Sequence, residues 1–451
     1  MSNNLIRKPK VSVGQENPYN RLGFVQNPFP VNPSVVPYSD DIRVNGSIFL
    51  ESIRQEEIKA FHEHIVNSPN QIGLMMDYAA YKGRGIGKTA FLNYMKKSIN
   101  KDLGDEISDG KSVIYAVYVA PSADNRNRTL SQVAHSIFTS MHKEGLFLTV
   151  FCRLRALSGL LDDVIDETIT ENNYEETIAN DAWLCDKGID VSAVNSFVSK
   201  ELVKAGFVDE DVSLFSGTYT RFTEALSINP SEFFWKREGL FFLFEKVEKL
   251  LKAAMFTNCI ILLDEAEKMI QYQNFNERRA FCENLRTYFI DGNNSNAIDG
   301  FFKILLTIHP NSQELLMPHW AAAGLDRFCS LGGNTSSENT IFFKPMSNEP
   351  NMIRALAEIY LKASRINKTD SSISPFTQEA IDYTMEKSAF IPGRFLKYLY
   401  ILIEKSIKNN WTEIDKKQVE ITLDEGTNYL ALEKPVENTS IEELPPTKVQ
   451  L

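Results

Sequence analysis

The sequence predicts an α/β fold in which a parallel sheet is wrapped by helices, and two observations carry that prediction. Short apolar runs of strand length alternate with longer stretches of helical periodicity, as in strands buried on both faces and joined by helical crossovers. The first of these runs leads into a glycine-rich turn and a helix, and a later run ends in paired acids. Both features fall at the carboxyl ends of strands, where open parallel sheets hold their ligands.

The elements follow in order. Residues 1–46 read as an extended N-terminal arm, because Pro18, Pro28, Pro30, Pro33 and Pro37 interleave with Tyr19, Phe24, Phe29 and Tyr38. That many fixed φ angles and missing N–H donors rule out a long helix. The aromatics need a surface to dock on, either this chain's own core or a neighbouring subunit. Ile58, Phe61 and Ile65 then recur at helical spacing. Ile72–Tyr78 reads as the first strand and Ala90–Ile99 as the helix after it; Ser112–Val119, Cys259–Leu263, Phe301–Ile308 and Thr340–Lys344 read as the next four strands. Helical periodicity returns over Glu349–Ser364, Thr377–Lys387 and Pro392–Lys408.

About 140 residues separate Val119 from Cys259, far more than one crossover helix needs. The excess is helical in pattern, and residues 145–235 are predicted to form a helical insertion. Within it, residues 161–190 hold ten acids and one base, Lys187. That run is either a solvated helical surface or a docking face for a basic partner. It accounts for much of the net charge of −11, so the acidity says little about the rest of the chain.

The bulk composition excludes several classes. With 43% hydrophobic and 24% charged residues the chain can bury a large core, so global disorder is excluded. A surface basic all round is excluded too, though not a local basic patch. The densest apolar run, Gly239–Phe244, stops at Glu245, short of a membrane span. Met1–Arg7 lacks the apolar core of a secretory signal, and the five cysteines show no C-x-x-C pair. A cytoplasmic protein without a membrane partner is the expectation. His62-Glu63-His64 reads as an exposed helix face, and Arg278, Arg279 and Arg286 as ordinary helix surface.

The chemistry concentrates at Tyr81-Lys-Gly-Arg-Gly-Ile-Gly-Lys-Thr-Ala-Phe91. A phosphate-binding loop needs glycines so that backbone N–H groups converge on a phosphate, a lysine to reach the β- and γ-phosphates, and a hydroxyl for Mg²⁺. Gly83, Arg84, Gly85, Ile86, Gly87, Lys88, Thr89 and Ala90 fill this segment, with Lys88 on the phosphates and Thr89 on the metal. Lys82 stands where the first glycine of G-x-x-x-x-G-K-[ST] belongs. Downstream, the strand Cys259–Leu263 ends in Asp264-Glu265, where Asp264 would hold Mg²⁺ through water and Glu265 would polarise the attacking water.

With these two motifs the chain resembles the AAA+ class of P-loop ATPases, nearest to origin-recognition-like, STAND-like and transposition-regulator ATPases. Arg54-Gln-Glu-Glu-Ile58 is similar to the R-x-x-E-L segment that lies by the adenine in those families. The resemblance implies a polar residue at the end of the fourth strand, where the sequence offers Thr307 and His309; strand length favours His309 as the contact to the γ-phosphate water. Leu325-Asp-Arg-Phe328 is similar to an arginine-finger segment, which implies that Arg327 reaches the nucleotide of an adjacent subunit; a surface ion pair is the alternative. Phe390–Tyr398 is similar to the second sensor of a lid domain, which implies that Arg394 approaches the γ-phosphate; an exposed helix face is the alternative.

There are departures from the pattern. Ala120-Pro121 replaces the polar residue expected after the second strand, and no winged-helix pattern follows the lid. The resemblance implies a P-loop core over 47–344, a helical lid over 345–424 and a tail over 425–451 whose composition predicts disorder. It implies ATP and Mg²⁺ as cofactors, a homo-oligomer, and ATP hydrolysis by an oligomeric switch or remodelling ATPase with a protein, DNA or RNA partner. The competing expectation is a slow or non-hydrolysing ATP-gated scaffold that recruits an effector, as in transposition regulators or prokaryotic conflict systems.

Overall fold

Five strands build one sheet: β1 (Ile72–Asp77), β2 (Ile114–Val119), β3 (Asn258–Leu263), β4 (Phe302–Ile308) and β5 (Thr340–Phe343). Their order is β2–β3–β4–β1–β5, and every neighbouring pair is parallel. The computed structural model describes residues 17–77, 85–101, 113–121, 128–166, 168–226, 238–292, 294–331, 339–343, 350–367 and 372–425. Tyr78, Lys344 and the tail beyond Glu425 therefore lie outside the described residues. The strands agree with the sequence expectation to within two residues at each end.

Period-two alternation decides what each strand presents to either face. Ala116, Tyr118, Ile260, Leu262, Leu305 and Met75 join one cluster, together with Phe91, Leu92 and Met95 of the helix Lys88–Lys101 and Phe61 of the helix Gln55–Phe61. Val117, Val119, Ile261, Leu263, Ile304 and Leu306 join the other cluster, against the helices Leu130–Lys143 and Phe275–Phe289. Both sheet faces are thus buried, which is why these strands read as continuous apolar runs.

Residues 145–226 contribute the helices Leu146–Ala156, Asp181–Asp186, Val191–Lys204, Asp209–Phe215 and Tyr219–Ala225. Their buried residues, among them Phe151, Leu184, Val198, Phe215 and Phe222, belong to the same cluster as the second sheet face. Arg155 fastens this region from inside: it is 1% exposed, donates to the Ile178 carbonyl (3.0 Å) and to Asp181 (2.5 Å), and lies over the Phe151 ring. Of the acids between 161 and 190, Asp162, Asp163, Asp166, Glu171, Glu175, Glu176, Asp186 and Asp190 are exposed.

The chain forms two units, Val35–Met346 around the sheet, and a second unit that joins the segment up to Ser34 with the segment from Ser347. The boundary expected near residue 46 thus falls at Ser34. In the second unit the described helices are Pro350–Ser364, Gln378–Lys387, Pro392–Asn409 and Lys416–Glu425. Residues 17–34 are built into it. Phe24 and Phe29 are fully buried; Phe29 meets the rings of Tyr360 and Phe376, and the Arg365 guanidinium lies 4.5 Å over Phe24. The Val25 N–H donates to Ser364 (3.0 Å) and the Ile366 N–H to Gly23 (3.0 Å). Tyr19 and Asn27 both donate to Glu404, at 2.6 and 2.8 Å.

Phe29→Ala should therefore destabilise the second unit by about 3–5 kcal/mol. Val31→Ala, at a site 66% exposed, should change little. Urea unfolding followed by proteolysis within 350–425 separates the two outcomes.

Candidate functional site

The strand parity that builds the core also aims the acidic pair. Asp264 continues the face of Ile260 and Leu262, the face covered by the helix Lys88–Lys101. Its carboxylate is 1% exposed, and a buried carboxylate is stable only when its oxygens are hydrogen-bonded. Four donors supply this. The Thr89 hydroxyl donates to Oδ2 at 2.6 Å and the Tyr118 phenol to the same oxygen at 2.9 Å. The Thr307 hydroxyl and the Glu265 N–H each donate to Oδ1 at 2.9 Å. A phosphate-loop residue, the edge strand β2, the neighbouring strand β4 and the turn after β3 thus converge on one side chain. Burial, reinforced by the Asp264 charge, pushes the Tyr118 phenol far above its ordinary range.

Glu265 follows in a left-handed conformation, φ 51° and ψ 39°, unusual for a residue with a Cβ. Its N–H donates both to Asp264 and to the Thr307 hydroxyl, the latter at 2.7 Å, and these bonds hold the turn. Its side chain is 39% exposed and pairs with the ammonium of Lys268, one helical turn on. Glu267 lies close enough to Lys88 to feel its charge; burial raises the Glu267 carboxyl above its ordinary value, and Lys88 opposes that shift.

The described part of the phosphate loop starts at Gly85; Gly83 and Arg84 lie outside the described residues. Gly85 and Gly87 have φ of 82° and 100°. A Cβ on Gly87 would meet nothing within 4 Å, so the backbone angle alone demands glycine there. Lys88, Thr89 and Ala90 open the helix Lys88–Lys101, whose first amides face away from the chain that follows.

Arg54 props the loop from below. It is 3% exposed, donates to the Ile86 carbonyl at 2.7 Å, pairs with Glu57 at 3.1 Å and stacks over Phe343 at 4.1 Å. Burial lowers the guanidinium from its ordinary value and Glu57 counters that. The aromatic Phe49 lies against Tyr94, ring centroids 4.4 Å apart.

The remaining sequence-derived residues are dispersed. Thr307, 1% exposed, makes the bonds to the acidic pair; His309 stands at the N-cap position of the helix Pro310–Ala322 and is partly exposed. Arg327 ends a short 3-10 turn, Leu325–Arg327, and is exposed with no hydrogen-bonding partner among the described residues. Arg394, in the second unit, is exposed in the first turn of the helix Pro392–Asn409. Arg279 pairs with Glu283 on its own helix, whereas Arg278 donates to the Ile270 carbonyl and Arg286 to Asp291 and to the Ala323 carbonyl. Among the described residues no group of three His, Cys, Asp or Glu gathers as a metal cluster, and no helix is long and apolar enough to cross a membrane.

Sequence reasoning missed Tyr118, Lys268 and Glu267. Only Tyr118 left a signal: it shares strand parity with Ala116 and stands two residues before Ala120-Pro121, where a polar residue was wanted.

A hydroxyl from the loop helix meets a carboxylate from the acidic strand. No protein-family model matches the chain, and no curated protein matches it. The solved structures to which it is similar in fold include the following two. One is the Walker-type ATPase of Pyrococcus abyssi, at 14% identity and a TM-score of 0.40, covering 90% of this chain and 78% of that one. The other is the ORC2 protein of Aeropyrum pernix in its ADPNP–ADP complexes, at 10% identity and a TM-score of 0.41, covering 87% of this chain and 69% of that one. The assignment of function therefore rests on this chain's own residues.

Arg54→Ala would remove the cation that pairs with the buried Glu57 carboxylate, at a cost of about 3–5 kcal/mol. Removing both, in Arg54→Ala/Glu57→Ala, should recover part of that loss, and Arg54→Lys should fall between, lacking the planar fork. Chemical denaturation of these proteins together with Glu57→Ala, which closes the cycle, reads the coupling.

Proposed function

We propose that the chain is a Mg²⁺-dependent ATPase of the AAA+ type, an oligomeric switch or remodelling enzyme that acts on a protein or nucleic-acid partner. The observation that carries this is the 2.6 Å bond from Thr89 to Asp264, which joins the phosphate-loop helix to the acidic strand end. The donor set fits the metal: a hydroxyl and a carboxylate are hard oxygen ligands suited to Mg²⁺. Held by Thr89 and, through water, by Asp264, Mg²⁺ would supply charge stabilisation at the phosphates. Lys88 and the backbone amides of residues 83–90 would bind the β- and γ-phosphates. Glu265 would accept a proton from the attacking water, and Thr307 would hold the turn that aims it. His309, at the exit of β4, is proposed to contact the γ-phosphate water. The exposed arginines Arg327 and Arg394 are proposed to add positive charge to the transition state, Arg327 from a neighbouring copy of the chain.

A second reading, the slowly hydrolysing ATP-gated scaffold, is favoured by one contact. The Lys268 ammonium engages the Glu265 carboxylate, the group that must accept the proton. A base engaged in this way suits a protein whose work is done while ATP stays bound.

Equilibrium binding of ATP should be lost in Lys88→Ala; equal binding to both proteins would overturn the nucleotide assignment. Glu265→Gln should retain ATP and slow phosphate release by about 10²-fold or more. Partner recruitment that survives this change favours the scaffold, and recruitment that fails favours the remodelling enzyme.

A further inference from the structure

Tyr118 belongs to no motif, yet its hydroxyl occupies the most consequential carboxylate in the chain. A carboxylate offers about four lone-pair sites. In Asp264 all four go to protein donors: Thr307 and the Glu265 N–H on Oδ1, Thr89 and Tyr118 on Oδ2. If Asp264 holds a cation through one of its waters, that water is a fifth donor, and one of the four must give way.

The four are not equally free to do so. The Glu265 N–H is fixed by the left-handed turn, and Thr307 is locked to it by a second bond at 2.7 Å. Both also lie on Oδ1. Thr89 is the metal's own ligand in the assignment above. Tyr118 remains. Its ring belongs to the buried cluster that also holds Ala116, Leu262 and Met95 and is 5% exposed, so the ring stays in place. The hydroxyl hydrogen needs only a rotation about the C–O bond to leave Oδ2.

We propose that the Tyr118 hydroxyl is a stand-in for the metal's water: it satisfies Asp264 until the cation is bound and is displaced when it binds. Tyr118 is then a positioning residue that stabilises the fold at the expense of metal affinity. This rests on the assignment of Thr89 and Asp264 to Mg²⁺. The displaced phenol is left buried without its acceptor, and that penalty weakens cation binding.

Tyr118→Phe removes the hydroxyl and keeps the ring. Its melting temperature in EDTA should fall below that of the wild-type protein. The Mg²⁺ concentration giving half-maximal binding of a fluorescent, non-hydrolysable ATP analogue should fall too, by about tenfold. An ordinary supporting residue would move the two measurements together, giving lower stability and weaker Mg²⁺ response. A Mg²⁺ requirement that is unchanged or higher in Tyr118→Phe overturns the proposal. Thr307→Val is the control: it removes a donor from Oδ1 and should melt lower with no gain in Mg²⁺ response, and an equal gain there also overturns it. Analogue binding by the wild-type protein that ignores Mg²⁺ would sink the metal assignment and this inference together. Analogue binding that needs Mg²⁺, with Tyr118→Phe unaltered, would sink this inference alone.

Discussion

The sheet unit is organised around the need to keep one buried charge satisfied. An ionised carboxylate taken out of water is tolerable only with donors on its oxygens, and Asp264 obtains them from four separate segments of chain. Each bond constrains the segment that makes it. Thr89 ties the loop helix to the sheet, Tyr118 and Thr307 fix the ends of the strands on either side of β3, and the Glu265 N–H forces the turn. The left-handed backbone at Glu265 is strain that the surrounding bonds maintain, as is common where a side chain must point at chemistry.

Much of this was legible. Strand positions follow from apolar runs bounded by polar turns, and the carboxyl-end placement of Lys88, Thr89, Asp264 and Glu265 follows from the parallel arrangement. The choice between Thr307 and His309 was harder, because both have the same parity on β4 and only depth separates them. The bond falls to the residue still inside the strand. Tyr118 was hidden for a different reason. Aromatic residues favour strands whatever they do, so a tyrosine in β2 reads as core until its hydroxyl is traced to an acceptor. Arg54, in the segment that resemblance places by the adenine, also supports the loop through Ile86, Glu57 and Phe343, contacts that no sequence pattern announces.

The contrast between Lys268 and Arg54 shows how burial sorts interactions of like chemistry. Arg54 is buried together with Glu57, so the pair is structural, and loss of one member removes the charge that compensates the other. Lys268 and Glu265 are about two-fifths exposed, so their attraction is screened and contributes little to stability. The weak pair can open without disturbing the fold, and it is the one that sits on the carboxylate proposed as the base.

The order of the chain has a consequence for synthesis. The sheet unit, Val35–Met346, is contiguous, whereas the second unit needs residues 17–34 and the helices after Pro350. On a ribosome adding roughly 5–20 residues per second, Phe24 and Phe29 emerge tens of seconds before the side chains that bury them. The sheet unit has that interval to fold alone. The nascent N-terminal segment meanwhile carries two aromatics that stay uncovered until the helices after Pro350 are made.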